Sequence, residues 1–178
     1  MNGKQTGQVA LVGVFSALAL VLLLFTYIPT ATIAMAAVAA MCGIPVVVEL
    51  GRKAGLLHYA AVAVLSTFIA LTAEGTGLYI AFFGWYTVFK SFIEGKRLSR
   101  GLEWGIKIGV FAASIAAYGA VWIFLLHMPL PEEIAPWMIP LATVVLCAVF
   151  VLYDVGLTRM IGTYFVRIRP KLRHLFHF

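Results

Sequence analysis

The stretch Gly43-Ile-Pro-Val-Val-Val-Glu-Leu-Gly-Arg-Lys-Ala-Gly55 is the first place where an apolar run of membrane length meets a cluster of charges. Upstream, residues 30–50 carry one charge, that of Glu49, and downstream residues 54–71 carry none. The segment Gly51-Arg-Lys53 is therefore predicted to be a short turn between two antiparallel membrane helices. Basic residues beside membrane helices favour the cytoplasmic side, so this turn is predicted to be cytoplasmic.

The composition predicts an integral membrane protein. Of the 178 residues, 63% are hydrophobic and 11% are charged, whereas soluble domains are about half apolar and about a quarter charged. A helix needs ~20 residues to cross ~30 Å of hydrocarbon, so this length allows about six spans and leaves no room for a soluble domain. The net charge of +6 lies mostly in the breaks between apolar runs, which favours membrane orientation and contact with anionic lipid over nucleic-acid binding.

The apolar runs predict an all-α bundle of six transmembrane helices in a single domain. The predicted spans are about 9–28, 32–50, 54–71, 78–93, 104–126 and 137–164, and residues 166–178 form a short basic amphipathic tail on the inner membrane surface. Gly43 and Pro45 are expected to kink the second span. Lys and Arg occur at the N-terminus, in the 2–3 and 4–5 loops and in the tail, and are missing from the other three loops. Both termini are therefore predicted to be cytoplasmic.

Aromatic side chains recur at helical spacing in two of the predicted spans. Tyr79 and Phe83 in the fourth span, and Tyr118 and Trp122 in the fifth, are expected to line a pocket that opens to the outside. The candidates for its rim are four loop residues: Tyr27, Glu74, His127 and Trp137. The alternative is that these side chains fill the core or anchor the bundle at the membrane interface, where Tyr and Trp are enriched.

Ionisable residues inside membrane spans are costly and are therefore candidates for function. An intramembrane polar network in the cytoplasmic half is predicted from four of them: Glu49, His58, Lys90 and Asp154. Lys90 is expected to pair with Asp154. Two interpretations stay open: the network relays protons or contacts a cytoplasmic partner, or its members are paired or snorkelling groups that hold the helices together.

The sequence contains no motif typical of catalysis or metal binding. The histidines form no HExxH, the serines no GxSxG, and no GxxxxGK[ST] loop occurs. Glu132 and Glu133 are adjacent in a proline-rich loop and are expected to be solvated. Cys42 and Cys147 are expected to be buried free thiols. The chain is therefore predicted to be no enzyme and to have no cofactor and no bound metal.

Two motifs carry a resemblance to a known family. The first span contains the small-xxx-small pair Gly13-Val-Phe-Ser-Ala17, and the second is followed by Gly51-Arg-Lys-Ala-Gly55. Together with six short spans and cytoplasmic termini, these motifs resemble the substrate-binding S components of energy-coupling factor (ECF) vitamin transporters. In that family the corresponding turn is often Gly-x-Lys-Ala-Gly, and the first-span motif is Ala-xxx-Ala.

The resemblance implies a multi-pass protein of the bacterial plasma membrane that binds a small water-soluble, vitamin-like nutrient from outside. It also implies docking, through Gly13 and Ala17, on a transmembrane coupling protein served by two ATPase subunits. Lys90 and Asp154 are not part of the pattern associated with the family. Two alternatives therefore stay open: a stand-alone proton- or ion-coupled transporter of a small solute, and a structural membrane subunit that transports nothing.

Overall fold

The computed structural model describes residues 3–28, 30–69, 74–96, 98–125 and 138–170, and within these ranges it contains helices and no strand. The helices are α1 (Gly3–Leu24), α2 (Thr32–Met41), α3 (Gly43–Leu50), α4 (Arg52–Ile69), α5 (Glu74–Leu78), α6 (Gly84–Glu94), α7 (Arg100–Ala120) and α8 (Met138–Thr163). A 3₁₀ turn at Phe25–Tyr27 follows α1. Three π-helical segments join α5 to α6 and extend α7 and α8: Tyr79–Phe83, Val121–Leu125 and Tyr164–Ile168.

Three helical stretches of the described residues are long and apolar enough to cross a membrane: Gln5–Tyr27, Thr32–Leu50 and Thr143–Ile168. They correspond to the first, second and sixth predicted spans. The expectation of a helical protein with membrane-spanning helices is confirmed at this level. The third, fourth and fifth predicted spans correspond to α4, to the helical stretch from α5 through α6, and to α7 with its extension. That these three also cross a membrane stays a prediction.

The helix boundaries differ from the sequence prediction in four main places. Helix α1 begins at Gly3, six residues earlier than predicted. Residues 74–77, predicted to be loop, begin α5, and the acidic Glu74 in its first turn suits the positive end of the helix dipole. Helix α7 begins at Arg100, four residues earlier than predicted, after Ser99 in an extended conformation. Helical structure continues after α8 to residue 170, so the predicted tail is helical at its start. Residues 171–178 of the tail lie outside the described ranges.

The stretch from Gly43 to Gly55 forms the predicted turn. The second predicted span is interrupted at Cys42, as expected from the neighbouring Gly43 and Pro45. Gly51 alone separates α3 from α4, and its φ of 85° lies in a region that favours glycine. At Gly55 the helices approach closely, since a Cβ there would lie 2.9 Å from Cγ2 of Val88 on α6 and nearer still to a side chain on α3. Gly51 therefore allows the turn between α3 and α4, and Gly55 allows α4 to pack closely against α3 and α6.

Aromatic rings form the centre of the bundle. The ring of Phe82, in the π-helical segment between α5 and α6, lies 4.7 Å from Tyr86, 5.1 Å from Phe111 and 5.8 Å from Phe150, measured between ring centroids. The Phe111 and Phe150 rings stack at 4.7 Å. Such pairs contribute about 0.5–1.5 kcal/mol each beyond the burial of their area. The ring cluster joins α6, α7 and α8. On α2, small side chains are buried in the same core: Ala36, Ala39 and Ala40.

Candidate functional site

Five ionisable side chains meet inside the bundle, and they come from α6, α7 and the C-terminal half of α8. Lys90 Nζ lies 2.6 Å from Oδ1 of Asp154 and 2.7 Å from Oε1 of Glu94. Lys107 Nζ lies 2.7 Å from Oε1 of Glu103, 3.0 Å from Oε1 of Glu94 and 3.3 Å from Oδ2 of Asp154. We call these five residues the charged cluster. Three of them are 0–3% exposed: Lys90 0%, Lys107 2% and Asp154 3%.

The spacing of these residues along their helices explains why their side chains meet. Helices α6 and α7 each carry a lysine and a glutamate four residues apart, so the members of each pair lie on one face of their helix. Tyr86, one turn before Lys90, donates its hydroxyl proton to Asp154 Oδ1 at 2.8 Å. A buried ammonium group is tolerated when carboxylates surround it. Each lysine here has at least two carboxylate partners, so the buried charges are paired.

The charged cluster contains three carboxylates and two ammonium groups, a formal excess of one negative charge. The two oxygens of the buried Asp154 face different lysines. The side chains of Glu94 and Glu103 are 38% and 23% exposed. The excess negative charge therefore lies at the edge of the cluster, on the two glutamates.

A cavity of about 230 Å³ adjoins the charged cluster. Its polar wall is a stripe along α6 formed by Thr87, Ser91 and Glu94. Its opposite wall is apolar and comes from α3, α8 and the π-helical segment after α8: Ile44, Val47, Val48, Ile161 and Phe165. We call this cavity the crevice. It combines one carboxylate and two hydroxyls with an apolar surface.

Glu49 lies outside the charged cluster. Its Oε1 accepts hydrogen bonds from Arg169 Nε at 2.9 Å and from the Tyr164 hydroxyl at 3.1 Å. The Glu49 side chain is 5% exposed and that of Arg169 is 32% exposed. These contacts tie the end of α3 to the helical segment that follows α8.

His58 forms a third polar contact, between α4 and α1. It is 1% exposed, its Nδ1 shares a hydrogen bond of 2.8 Å with Ser16 Oγ, and its Nε2 has no partner in the described part of the chain. The predicted network of Glu49, His58, Lys90 and Asp154 is therefore divided. Lys90 and Asp154 are in contact, as predicted, whereas Glu49 and His58 have nearer partners on other helices.

The aromatic residues predicted to line a pocket include two that lie in the core. Tyr79 is 0% and Phe83 is 6% exposed. The Phe83 ring packs edge-on against Tyr153 at 4.8 Å, and the Tyr79 ring lies 6.2 Å from that of Tyr59. The rings of Tyr79 and Phe83 fill space between helices, which is the alternative that the sequence left open.

Three of the other predicted binding residues lie around α5, and the side chains of the rest are not described. Glu74 is the first residue of α5, the charge of Glu74 acts on the Tyr118 hydroxyl, and the turn that contains Tyr27 contacts α5. The Tyr118 ring lies against the end of α5, since a Cβ on Gly77 would be 2.7 Å from Tyr118 Cε2. Glu74 is exposed, and Tyr27 is 52% exposed. Three positions are not described: the Trp122 side chain, His127 and Trp137. The binding role of the eight residues stays a prediction.

Two buried hydroxyls lack a hydrogen-bond partner among the described residues: Thr76 Oγ1 and Tyr79 OH. Thr76 is 3% exposed and Tyr79 is 0% exposed. They are three residues apart on a continuous helical stretch, so they lie on one face. Sequence reasoning missed Thr76. A buried unpaired hydroxyl costs about 1–3 kcal/mol, and such a group in a native structure calls for a partner such as ordered water or an ion. We call Thr76 and Tyr79 the hydroxyl pair.

Gly13 and Ala17 lie on an exposed face of α1. No described atom outside their own helix lies within 4 Å of a Cβ built on Gly13. Other faces of α1 pack against α2, α3 and α4. By contrast, Ala36 and Ala40, which have the same small-xxx-small spacing on α2, are 0% and 1% exposed. The α1 pair is therefore free of internal packing, whereas the α2 pair is part of the core.

Comparisons with known proteins assign no family. No protein-family model matches the chain, and neither does any curated protein or any solved structure. Within the ranges that the structure describes, no group of three or more His, Cys, Asp or Glu residues is placed to hold a metal ion. Cys42 and Cys147 are free thiols. Cys42 is buried as expected, whereas Cys147 is partly exposed, so the expectation that both are buried is wrong for Cys147. The function has to be argued from the chemistry of the chain itself.

Proposed function

We propose that this protein is a membrane subunit that binds a small water-soluble nutrient from outside the cell for uptake by a partner ATPase module, in the manner of an ECF S component. The observation that carries the proposal is the hydroxyl pair. Each hydroxyl can donate one hydrogen bond and accept others, and neither does so with a described residue. The Tyr79 ring reaches Gly84, since a Cβ there would lie 2.8 Å from Tyr79 Cζ, so a polar ligand would satisfy both hydroxyls by extending along the helical stretch. In a six-span bundle with cytoplasmic termini, the hydroxyl pair belongs to the outer half.

The exposed face of α1 supports a membrane partner. Small side chains allow the backbones of two membrane helices to approach closely. Gly13 and Ala17 offer such a surface without serving the packing of this chain. The proposed occupant is a transmembrane helix of the coupling protein.

The charged cluster favours a second function, stand-alone transport of a small solute coupled to an ion. Acidic and basic residues buried in membrane bundles are typical of ion and proton pathways. The two functions differ in whether transport needs a partner protein. When it is reconstituted alone in liposomes, an ion-coupled transporter moves its substrate if an ion gradient is imposed. An S component needs its ATPase module.

Ligand binding tests the hydroxyl pair. The protein is purified from its native membrane, the co-purified small molecule is identified by mass spectrometry, and its dissociation constant is measured for wild type, Tyr79→Phe and Thr76→Val. We expect each substitution to weaken binding about tenfold, because it removes a hydrogen bond of about 1.4 kcal/mol. The control is Tyr59→Phe, because the Tyr59 hydroxyl already donates to the Ile80 carbonyl at 2.8 Å. Equal affinities in all four proteins would remove the hydroxyl pair from the binding site.

Docking is tested separately with Ala17→Trp. The larger ring should block co-purification of the membrane partner and leave ligand binding unchanged, because Ala17 is remote from the hydroxyl pair in sequence and exposed. Val144→Trp is the matched control, since Val144 is 67% exposed on α8. Undiminished co-purification of a partner with Ala17→Trp would contradict docking through α1.

A further inference from the structure

We propose that the helical segment 165–170 is a lid over the crevice, and that the ion pair between Glu49 and Arg169 is the latch that keeps the lid closed. The segment continues the helical structure of α8 and is described to residue 170. Its first residue, Phe165, forms part of the crevice wall together with Ile161 of α8. The lid governs access to the interior of the bundle, whichever of the two proposed functions the protein has.

One carboxylate oxygen holds the lid at both of its ends. Glu49 Oε1 accepts a hydrogen bond from the Tyr164 hydroxyl, just before the lid, and another from Arg169 Nε, near its far end. Tyr164 is 2% exposed and packs in the core, so it fixes the point at which the lid begins. The Arg169 side chain is 32% exposed, so water reaches the far end. The lid can therefore open by release of Arg169 while Tyr164 stays in the core.

The backbone and the surface of the segment suit a moving part. Residues Tyr164–Ile168 are π-helical, and helices bend sharply at such segments because the regular hydrogen-bond ladder is interrupted there. Between the two contacts with Glu49, large side chains remain exposed: Phe165 44%, Val166 76% and Ile168 39%. The Arg169 guanidinium lies 5.1 Å from the centre of the Phe165 ring. Release of Arg169 would therefore also free the ring that closes the crevice.

The crevice leads from the lid to the charged cluster. Its wall on α6 contains Thr87, Ser91 and Glu94, and Glu94 Oε1 contacts both buried lysines, Lys90 and Lys107. Glu94 is partly exposed at the edge of the cluster, whereas Lys90 behind it is fully buried. Ion pairs are stronger where water is excluded. Opening of the lid would admit water along the crevice towards Lys90, from the end of the bundle that is cytoplasmic in the predicted topology.

Thiol accessibility tests the lid on the purified full-length protein in detergent. The reporter is Thr87→Cys, since Thr87 lines the crevice and is 3% exposed. It is placed in a background with Cys42→Ala and Cys147→Ala, so that it is the single cysteine of the chain. The reaction rate with a small charged methanethiosulfonate reagent is measured. With the latch intact, we expect the reporter to react much more slowly than a cysteine at Val166, on the exposed face of the lid.

Variants of the latch should raise the rate at the reporter. Arg169→Ala should raise it about tenfold, because a hydrogen bond between two charged groups is lost. The matched control is Arg167→Ala, at an exposed basic residue on the same segment, and it should leave the rate unchanged. Glu49→Ala removes the same contact from α3 and should raise the rate at least as much. Combining Glu49→Ala with Arg169→Ala should add nothing to Glu49→Ala alone, because both substitutions break one contact.

A second reporter separates opening of the lid from loosening of the whole bundle. Ser66→Cys on α4 is suitable, since Ser66 is 1% exposed and does not line the crevice, and its rate should be the same with and without the latch. Three outcomes would overturn the proposal. An unchanged rate at Thr87→Cys in both Arg169→Ala and Glu49→Ala would show that the latch does not close the crevice. An equal increase with Arg167→Ala would assign the effect to the net charge of the segment. An equal increase at Ser66→Cys would show that the bundle has loosened as a whole.

Discussion

The hydroxyl pair lies on the same helical stretch, Glu74–Glu94, as two members of the charged cluster, Lys90 and Glu94, and the polar groups at its two ends differ in whether they have partners. Tyr79 and Lys90 are about 16 Å apart along the axis. At Lys90 the buried charge has two carboxylate partners, whereas at Tyr79 the buried hydroxyl has none in the described part of the chain. Paired groups hold helices together, and unpaired groups keep their capacity to bind. The comparison indicates that one end of the stretch stabilises the bundle and the other is suited to recognition.

Removing Asp154, at the paired end, should reduce stability more than any of the other substitutions. Asp154→Ala removes the only buried carboxylate of the charged cluster and leaves Lys90 and Lys107 with the partly exposed Glu94 and Glu103. Breaking a buried ion pair from one side costs about 3–5 kcal/mol, so we expect the free energy of unfolding in detergent to fall by about that amount. Arg159→Gln, at an exposed residue further along α8, is the control and should be neutral. If Asp154→Ala unfolds at the same denaturant concentration as the wild type, water solvates the cluster and the prediction is wrong.

The same Tyr→Phe substitution at the two ends should change stability in different directions. Tyr86→Phe removes a hydrogen bond to the charged Asp154, and we expect a loss of about 1.5–3 kcal/mol. Tyr79→Phe removes a buried hydroxyl that has no protein partner, so the ligand-free protein should keep or slightly increase its stability. Chemical denaturation of the two variants checks this. An equal loss in both would show that the Tyr79 hydroxyl is already bonded in solution.

Gly→Ala substitutions compare how rigid the surroundings of the two ends of the stretch are. Gly55, on α4, lies against Val88 near the Lys90 end, and Gly77 lies near Tyr79. At Gly55 a new Cβ would meet the short branched side chains of Val47 and Val88, which have little freedom to move, so we expect a loss of about 1–3 kcal/mol from overpacking. At Gly77 the new Cβ would meet the far end of the Tyr118 ring, which can turn aside, and the loss should be smaller. Thermal unfolding of both variants measures the difference. A larger loss at Gly77 would show that the Tyr118 ring is held as firmly as the valines.

Local patterns predicted much of the fold. Apolar length and charged breaks located most of the described helices to within a few residues, but α1 begins six residues before the predicted span and α5 lies where a loop was predicted. The kink near Gly43 followed from Gly and Pro chemistry. The contact between Lys90 and Asp154 was also expected, because two opposite charges in apolar helices need each other. These features depend on neighbouring residues or on a strong energetic requirement.

Long-range placement could not be predicted in the same way. The partners of Glu49 are 115 and 120 residues away along the chain, and no local signal distinguishes Arg169 from the other basic residues near the C-terminus. Lys107 and Glu103 had a usable signal, since they are four residues apart and Lys107 shares a face with the buried Phe111. The aromatic stripe was ambiguous, because rings that fill a core and rings that line a pocket have the same spacing.

The two lysine–glutamate pairs within single helices also bear on the order of synthesis. Lys90 and Lys107 are made before Asp154, which arrives with the last helix. Until then, each lysine has a carboxylate four residues away on its own helix, Glu94 or Glu103. In the predicted six-span topology, each of these helices would enter the membrane with its ammonium charge already paired within the helix. Asp154 would then meet two lysines that are already in place, and no lysine would stay unbalanced in lipid before its distant partner is made.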